Sequence, residues 1–210
     1  AMESGFWKEK WAKGEIGFHE GKPNAFIKDE FHRMGLDKGQ TVFVPLCGKS
    51  MDVFWLLSEG YKVVGVELVE SAVVDLFKSL GIAPQVTIID QFKKYTGEHI
   101  EIYVGDFFAL TSQHIGPVDA IYDRAALVAM PESMRADYAN QLSRVTHQAS
   151  QFLITFVYDQ AQVEGPPFSV PKKMISHLYG DTYTIKSIDI KKVPGGLRGC
   201  GAQECLWILR

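Results

Sequence analysis

The tripeptide Gly48-Lys49-Ser50, directly after the apolar run 42 to 46, raises the question of phosphate chemistry, because a GKS behind a strand is how a P-loop closes on a nucleotide. A P-loop needs a further glycine five residues before Gly48 so that backbone amides can wrap the phosphates, and that position holds Phe43. The spacing therefore argues against nucleoside triphosphate binding. A different pattern fits better. Leu46-Cys47-Gly48 closes a first strand, and Glu67 follows about 20 residues on, where a carboxylate accepts hydrogen bonds from the hydroxyls of a free ribose. The alternative for Glu67 is an ordinary strand-end carboxylate. This turn carries one glycine where the dinucleotide fingerprint G-x-G-x-x-G has three, so a pyrophosphate lacks its cradle and NAD is disfavoured. A third element, Gly105-Asp106-Phe107-Phe108, offers an acid and a ring for hydrogen-bonding and stacking an adenine, although rings in such loops more often pack into the core. Together these elements point to adenosine without pyrophosphate. The common enzyme cofactor of that description is S-adenosyl-L-methionine, with S-adenosyl-L-homocysteine as its product.

Residues so spaced need a scaffold that brings strand ends to one edge. Apolar runs of strand length at 42–46, 62–67, 100–104, 118–122, 151–157, 182–190 and 203–209 alternate with helix-like segments, the pattern of a parallel sheet covered on both faces. The helices are predicted at 50–60 (apolar positions Met51, Phe54, Trp55, Leu57), at 71–80 (Val73, Val74, Phe77, Leu80) and at 132–147. The last two strands flank the glycine-rich stretch 193–201, too short for a crossover helix, so they should pair as an antiparallel hairpin. The expected fold is α/β: a doubly wound, seven-stranded, mostly parallel sheet with an antiparallel C-terminal hairpin. Residues 1–210 read as a single domain, with 1–40 as an N-terminal helical or lid segment over the ligand edge.

Composition excludes several classes. The chain has 210 residues, 46% of them hydrophobic and 22% charged, which suits one compact domain. A net charge of -3 and scattered basic pairs leave no footprint for nucleic acid. Cys47, Cys200 and Cys205 cannot all pair and lack a CxxC spacing, which fits a reducing compartment. The six histidines show no metal-ligand spacing, so no metal is expected. No apolar stretch approaches the roughly 20 residues of a spanning helix, and the opening residues lack a signal-like apolar core. The expectation is a soluble, cytoplasmic monomer with no membrane partner, acting on a small molecule.

The sequence also resembles the thiopurine S-methyltransferase family, bacterial type, along nearly its whole length. The matching motifs are Phe6-Trp7-Lys8-Glu9-Lys10-Trp11, Ile16-Gly17-Phe18-His19, Val44-Pro45-Leu46-Cys47-Gly48-Lys49-Ser50-Met51-Asp52, Val64-Gly65-Val66-Glu67-Leu68, Tyr122-Asp123-Arg124-Ala125-Ala126-Leu127-Val128-Ala129 and Gly165-Pro166-Pro167-Phe168-Ser169-Val170-Pro171. The PLCGKS form of the first turn is distinctive, since most methyltransferases carry a glycine-richer one. Segments 82–96 and 194–201 match only loosely. The resemblance implies the S-adenosylmethionine-dependent methyltransferase fold, with the cofactor contacted by Trp11, Leu46, Glu67, Arg124 and the Asp106-Phe107 loop. It implies S-methylation of small aromatic or heterocyclic thiols.

Each implied role has a physical reading and a rival. Trp7 and Trp11 stand four apart and share a face if helical, so an indole could stabilise a sulfonium by about 0.5–2 kcal/mol of cation–π attraction; core packing is the rival. Arg124 could pair the methionine carboxylate or sit near an anionic acceptor, against a local surface pair with Asp123. Trp7, for which core packing is the even rival, Phe18, Pro167 in a stiff Pro-Pro-Phe wall, and Arg198, where some members carry a second substrate-facing arginine, are the acceptor-side candidates. Attack by a soft sulfur on the methyl needs positioning and water exclusion more than proton transfer, so no catalytic residue is assigned, though Asp123 or a nearby histidine could accept a proton through water. The alternatives are a related enzyme methylating selenium or tellurium species, halide or simple thiols, and a non-catalytic nucleotide-binding module.

Overall fold

A computed structural model of the chain describes residues 22–48 and 50–210. The expectations for Trp7, Trp11 and Phe18 lie outside the described residues, as does most of the lid segment. The chain divides into two compact units, the first ending at Asp119 and the second running from Ala120 to Arg210.

The first unit contains, in chain order, α1 (Ala25–Glu30), β1 (Thr41–Pro45), α2 (Met51–Ser58), β2 (Lys62–Glu67), α3 (Glu70–Leu80), β3 (Gln85–Ile89), β4 (Phe92–Gly97), β5 (Ile100–Val104) and α4 (Ser112–Ile115). Its strands lie in the order β3-β4-β5-β2-β1, with β1, β2 and β5 parallel. β1 and β2 read as unbroken apolar runs because both of their faces are covered: Val42, Phe43, Val63 and Val66 are all but inaccessible to solvent. Each such side chain contributes roughly 1.5–3 kcal/mol by leaving water.

Two features of this unit differ from the expectation. β3 and β4 form an antiparallel hairpin joined antiparallel to β5, adding two strands to those foreseen. They escape the pattern because their faces are largely wet: Ile88 is 77% exposed, and Lys93 and Lys94 interrupt β4. The second difference is the buried face of α2, which consists of Asp52, Val53 and Leu56, while Phe54 is exposed. The helix is apolar nearly all round, so periodicity could not choose a face. A polar anchor does: the Asp52 carboxylate accepts the Asn24 amide at 2.7 Å and is buried with it. In α3 the buried positions are Ala72, Val73, Leu76 and Phe77, so Val73 and Phe77 stand as expected, whereas Val74 and Leu80 are only half-buried.

The second unit contains β6 (Ala120–Asp123), α5 (Glu132–Val145), β7 (Ser150–Tyr158), α6 (Lys172–Tyr179), β8 (Ile185–Lys192) and β9 (Ala202–Leu209), with strand order β6-β7-β9-β8. β6 and β7 are parallel, and β9 runs antiparallel to both β7 and β8, so the expected C-terminal hairpin is present with its last strand on the inside. α6 was not foreseen. No helix among the described residues is long and apolar enough to cross a membrane.

Candidate active site

In the first unit the three sequence elements singled out for adenosine converge on one residue. Glu67 ends β2, is 9% exposed, and joins the three strand ends around it. Its Oε1 accepts the Gly48 amide at 2.9 Å, its Oε2 accepts the Val69 amide at 2.9 Å, and its backbone carbonyl accepts the Gly105 amide at 3.0 Å. The turn after β1, the turn after β2 and the turn after β5 thus close on the same carboxylate-bearing residue. Burial pushes the Glu67 pKa above its ordinary value, and the bonds from Val69 and Gly48 pull the other way.

The turn itself is built by backbone conformation. Leu46 has φ +50° and Gly48 φ +52°, so a leucine is held in a region it rarely adopts, at a cost of order 1 kcal/mol or more. Ser50, the serine of the GKS tripeptide, caps α2 by accepting the Asp52 amide at 3.1 Å. Its hydroxyl closes a helix end, as a phosphate-binding serine would not. Cys47 packs beneath the turn against Gly65, where a Cβ would meet the Cys47 sulfur at 3.1 Å and Ile102 Cδ1 at 2.9 Å. Burial, with the Glu67 charge second, pushes the Cys47 thiol well above its ordinary pKa, so this sulfur stays protonated and is no nucleophile.

The structure divides the expected adenine contacts. Asp106 is exposed and uses Oδ1 to cap a 3-10 turn, Phe107–Ala109, through the Phe108 amide at 2.9 Å. Phe107 is 1% exposed and edge-on to Phe108, so its ring packs in the core and the loop presents backbone and the Asp106 carboxylate instead. Gly105 is required here, since a Cβ would strike the Phe92 ring at 2.6 Å.

In the second unit, Asp123 ends β6 fully buried. Its Oδ1 accepts the amides of Ala126 and Leu127 at 3.1 and 3.2 Å, and its Oδ2 accepts the Tyr138 hydroxyl at 2.6 Å. A surface pair between Asp123 and Arg124 is thereby ruled out, and a carboxylate so enclosed is a poor proton acceptor for a bound substrate. What it does is fold the loop that starts with Arg124, whose side chain is half-buried. The Pro-Pro-Phe segment is fixed in the same unit: Phe168 N donates to the Val128 carbonyl at 2.7 Å, and the Tyr158 hydroxyl donates to the Pro167 carbonyl at 2.6 Å. Burial raises the Tyr158 pKa, against the pull of the Gln160 hydrogen bond and of the Arg198 and Arg135 charges.

The family model for thiopurine S-methyltransferase matches residues 2–194. The chain belongs to the thiopurine S-methyltransferase family. A relative named thiopurine S-methyltransferase from Teredinibacter turnerae is 50% identical over 209 residues, covering 99% of this chain and 97% of its own length. Another of the same name from Xanthobacter autotrophicus is 49% identical, covering 99% of each. Among solved structures, a SAM-dependent methyltransferase from Anabaena variabilis has a TM-score of 0.63 at 14% identity, covering 99% of this chain and 95% of that one. The 1,6-didemethyltoxoflavin-N1-methyltransferase of Burkholderia thailandensis, solved with S-adenosylhomocysteine, has a TM-score of 0.66 at 14% identity, covering 98% and 86%. These likenesses show the expected α/β methyltransferase fold. The family match stops at residue 194, short of Arg198.

Sequence reasoning missed Val69, Tyr138, Tyr158 and Arg135 in this thiopurine S-methyltransferase family member. Their types and spacing carry no signal. Tyr138 finds Asp123 across 15 positions, and Tyr158 finds Pro167 across a loop, by folding alone.

Proposed function

We propose that the chain transfers the methyl group of S-adenosylmethionine to the sulfur of small aromatic or heterocyclic thiols of the thiopurine kind, acting as a monomer in the cytosol. The observation that carries this reading is Glu67. Each of its carboxylate oxygens accepts one backbone amide, which holds the group still and leaves acceptor capacity on both oxygens for the two ribose hydroxyls. The turn beside it offers no glycine-rich phosphate cradle, and its serine is engaged as a helix cap.

When bound, the cofactor supplies an electrophilic methyl on a sulfonium. Glu67 and the Asp106 loop would hold the adenosine with Leu46 beside it, Arg124 would pair the methionine carboxylate, and Trp11 would serve the sulfonium. Trp7, Phe18, Pro167 and Arg198 would be the acceptor-side residues. Catalysis is then positioning with water excluded, and no residue need move a proton if the thiol arrives ionised. Calorimetry with S-adenosylhomocysteine, ATP and NAD in parallel tests the reading: S-adenosylhomocysteine alone should bind, and tight ATP binding without it would reverse the conclusion.

A further inference from the structure

The first unit contains a cavity of about 290 Å³ at the end of the sheet opposite Glu67. It lies where β1, β2 and β5 begin, lined by Thr41, Lys62, Val64 and Glu101 of the strands and completed by Ile115 and Pro117, at and just beyond the end of α4. The parallel register sets Thr41 beside Lys62 and Val64 beside Glu101, and Lys62 and Val64, two apart on β2, share a face. Lys62 and Glu101 are therefore diagonal neighbours on one face, within reach of a single small molecule. Lys62 and Glu67 stand at opposite ends of β2, about 16 Å apart by strand rise, so this cavity is distinct from the residues assigned to methyl transfer.

The two opposite charges do not neutralise each other. Glu101, half-buried, meets Lys94 through Oε2 at 3.5 Å, which leaves Oε1 as an acceptor, and among the described residues Lys62 forms no ion pair. His99, also in the lining, has its Nε2 3.5 Å from the exposed Glu98, so the diagonal pair supplies the principal charges. A cation and an anion held apart on one concave face are complemented by a ligand that carries both charges itself. A singly charged ion would satisfy one group and meet the like charge of the other. Thr41 adds a hydroxyl beside Lys62 that can donate to a carboxylate. The volume, at the small end of the roughly 300–1,000 Å³ of ligand pockets, limits the rest of the ligand to a short chain, for which Ile115 and Pro117 supply apolar surface.

We propose that this cavity binds a small neutral α-amino acid in its zwitterionic form, with the carboxylate on Lys62 and Thr41, the ammonium on Glu101 and a short side chain against Ile115 and Pro117. Methyl NMR of the full chain, with the Ile115 δ1 signal assigned by Ile115→Val, tests it with L-alanine, propionate and ethylammonium at matched pH and ionic strength. L-alanine should shift the Ile115 methyl saturably, with a dissociation constant on the order of millimolar, as a ligand of few atoms on an exposed lysine allows. Propionate and ethylammonium, each lacking one of the two charges, should bind about fivefold more weakly or worse. Lys62→Met, at an exposed side chain, should weaken L-alanine about fivefold, and Glu101→Gln roughly tenfold, the half-buried charge counting for more. Glu101→Gln should at the same time leave propionate no weaker, which a general loss of structure would not do. An Ile115 methyl unmoved by L-alanine, propionate or ethylammonium binding as well as L-alanine, unchanged L-alanine affinity in Lys62→Met, or propionate weakened by Glu101→Gln would each overturn the proposal.

Discussion

The Tyr138 hydroxyl donates to the Asp123 carboxylate at 2.6 Å, and neither side chain is accessible to solvent. This pair, with the Ala126 and Leu127 amides, is what holds the loop that carries Arg124. Tyr138→Phe should therefore cost about 1.5–3 kcal/mol of stability at neutral pH, the value of a hydrogen bond to a charged group. Burial raises the Asp123 pKa above its ordinary value, so the folded state holds that proton more tightly than the unfolded chain does. Ionising Asp123 thus opposes folding as pH rises through its folded value, and more strongly once a donor is removed. The gap between wild type and Tyr138→Phe in urea unfolding should be full above that value and shrink below it; a gap that widens on acidification would contradict the assignment.

A second expectation concerns Glu67 and pH. On the proposed reading the ribose hydroxyls would donate to the ionised Glu67 carboxylate, whose pKa burial raises above its ordinary value. Affinity for S-adenosylhomocysteine should accordingly fall as pH drops, beginning above the range of an exposed glutamate. Glu67→Gln should weaken binding by about 1.5–3 kcal/mol at neutral pH and flatten the profile. Calorimetry across pH 4.5 to 8 checks both (the range being roughly that in which the fold should hold).

The elements that the sequence made legible share one physical property. Strands buried on both faces, such as β1 and β2, announce themselves as apolar runs, and the 19-residue interval from Gly48 to Glu67 follows from a helix and a strand of ordinary length. β3 and β4 stayed hidden because an edge hairpin need not be apolar. The face of α2 stayed hidden because a buried Asp52–Asn24 bond, not hydrophobicity, selects it. Phe107 was legible as a loop aromatic, yet whether its ring meets ligand or core depends on packing that spacing does not encode.

Cys47 and Gly65 form a close fit under the turn after β1. The Cys47 thiol, buried and held protonated, should resist a thiol reagent such as dithionitrobenzoate in the native state and react only on unfolding. Gly65→Ala would set a methyl against Ile102, the Cys47 sulfur and the Val44 carbonyl, so overpacking should cost roughly 1–3 kcal/mol. Thermal melts and timed labelling of that variant measure it; an unchanged melting temperature would mean that the turn relaxes freely.

On the proposed reading, the planar fork of Arg124 matters more than its charge. Lysine retains the charge and loses the bidentate fork, so Arg124→Lys should lower kcat/KM with the loss shared between cofactor affinity and acceptor turnover. A merely structural role would leave steady-state rates at saturating S-adenosylmethionine unchanged.

The central claim is that the chain places a methyl group on sulfur. Incubation with S-adenosylmethionine carrying a 13C-methyl group and 6-mercaptopurine, followed by mass spectrometry and carbon NMR of the product, tests it directly. The expected result is one labelled methyl on the thiopurine sulfur for each S-adenosylhomocysteine formed. Label on nitrogen, or no label on the thiopurine from protein that binds S-adenosylhomocysteine, would contradict it.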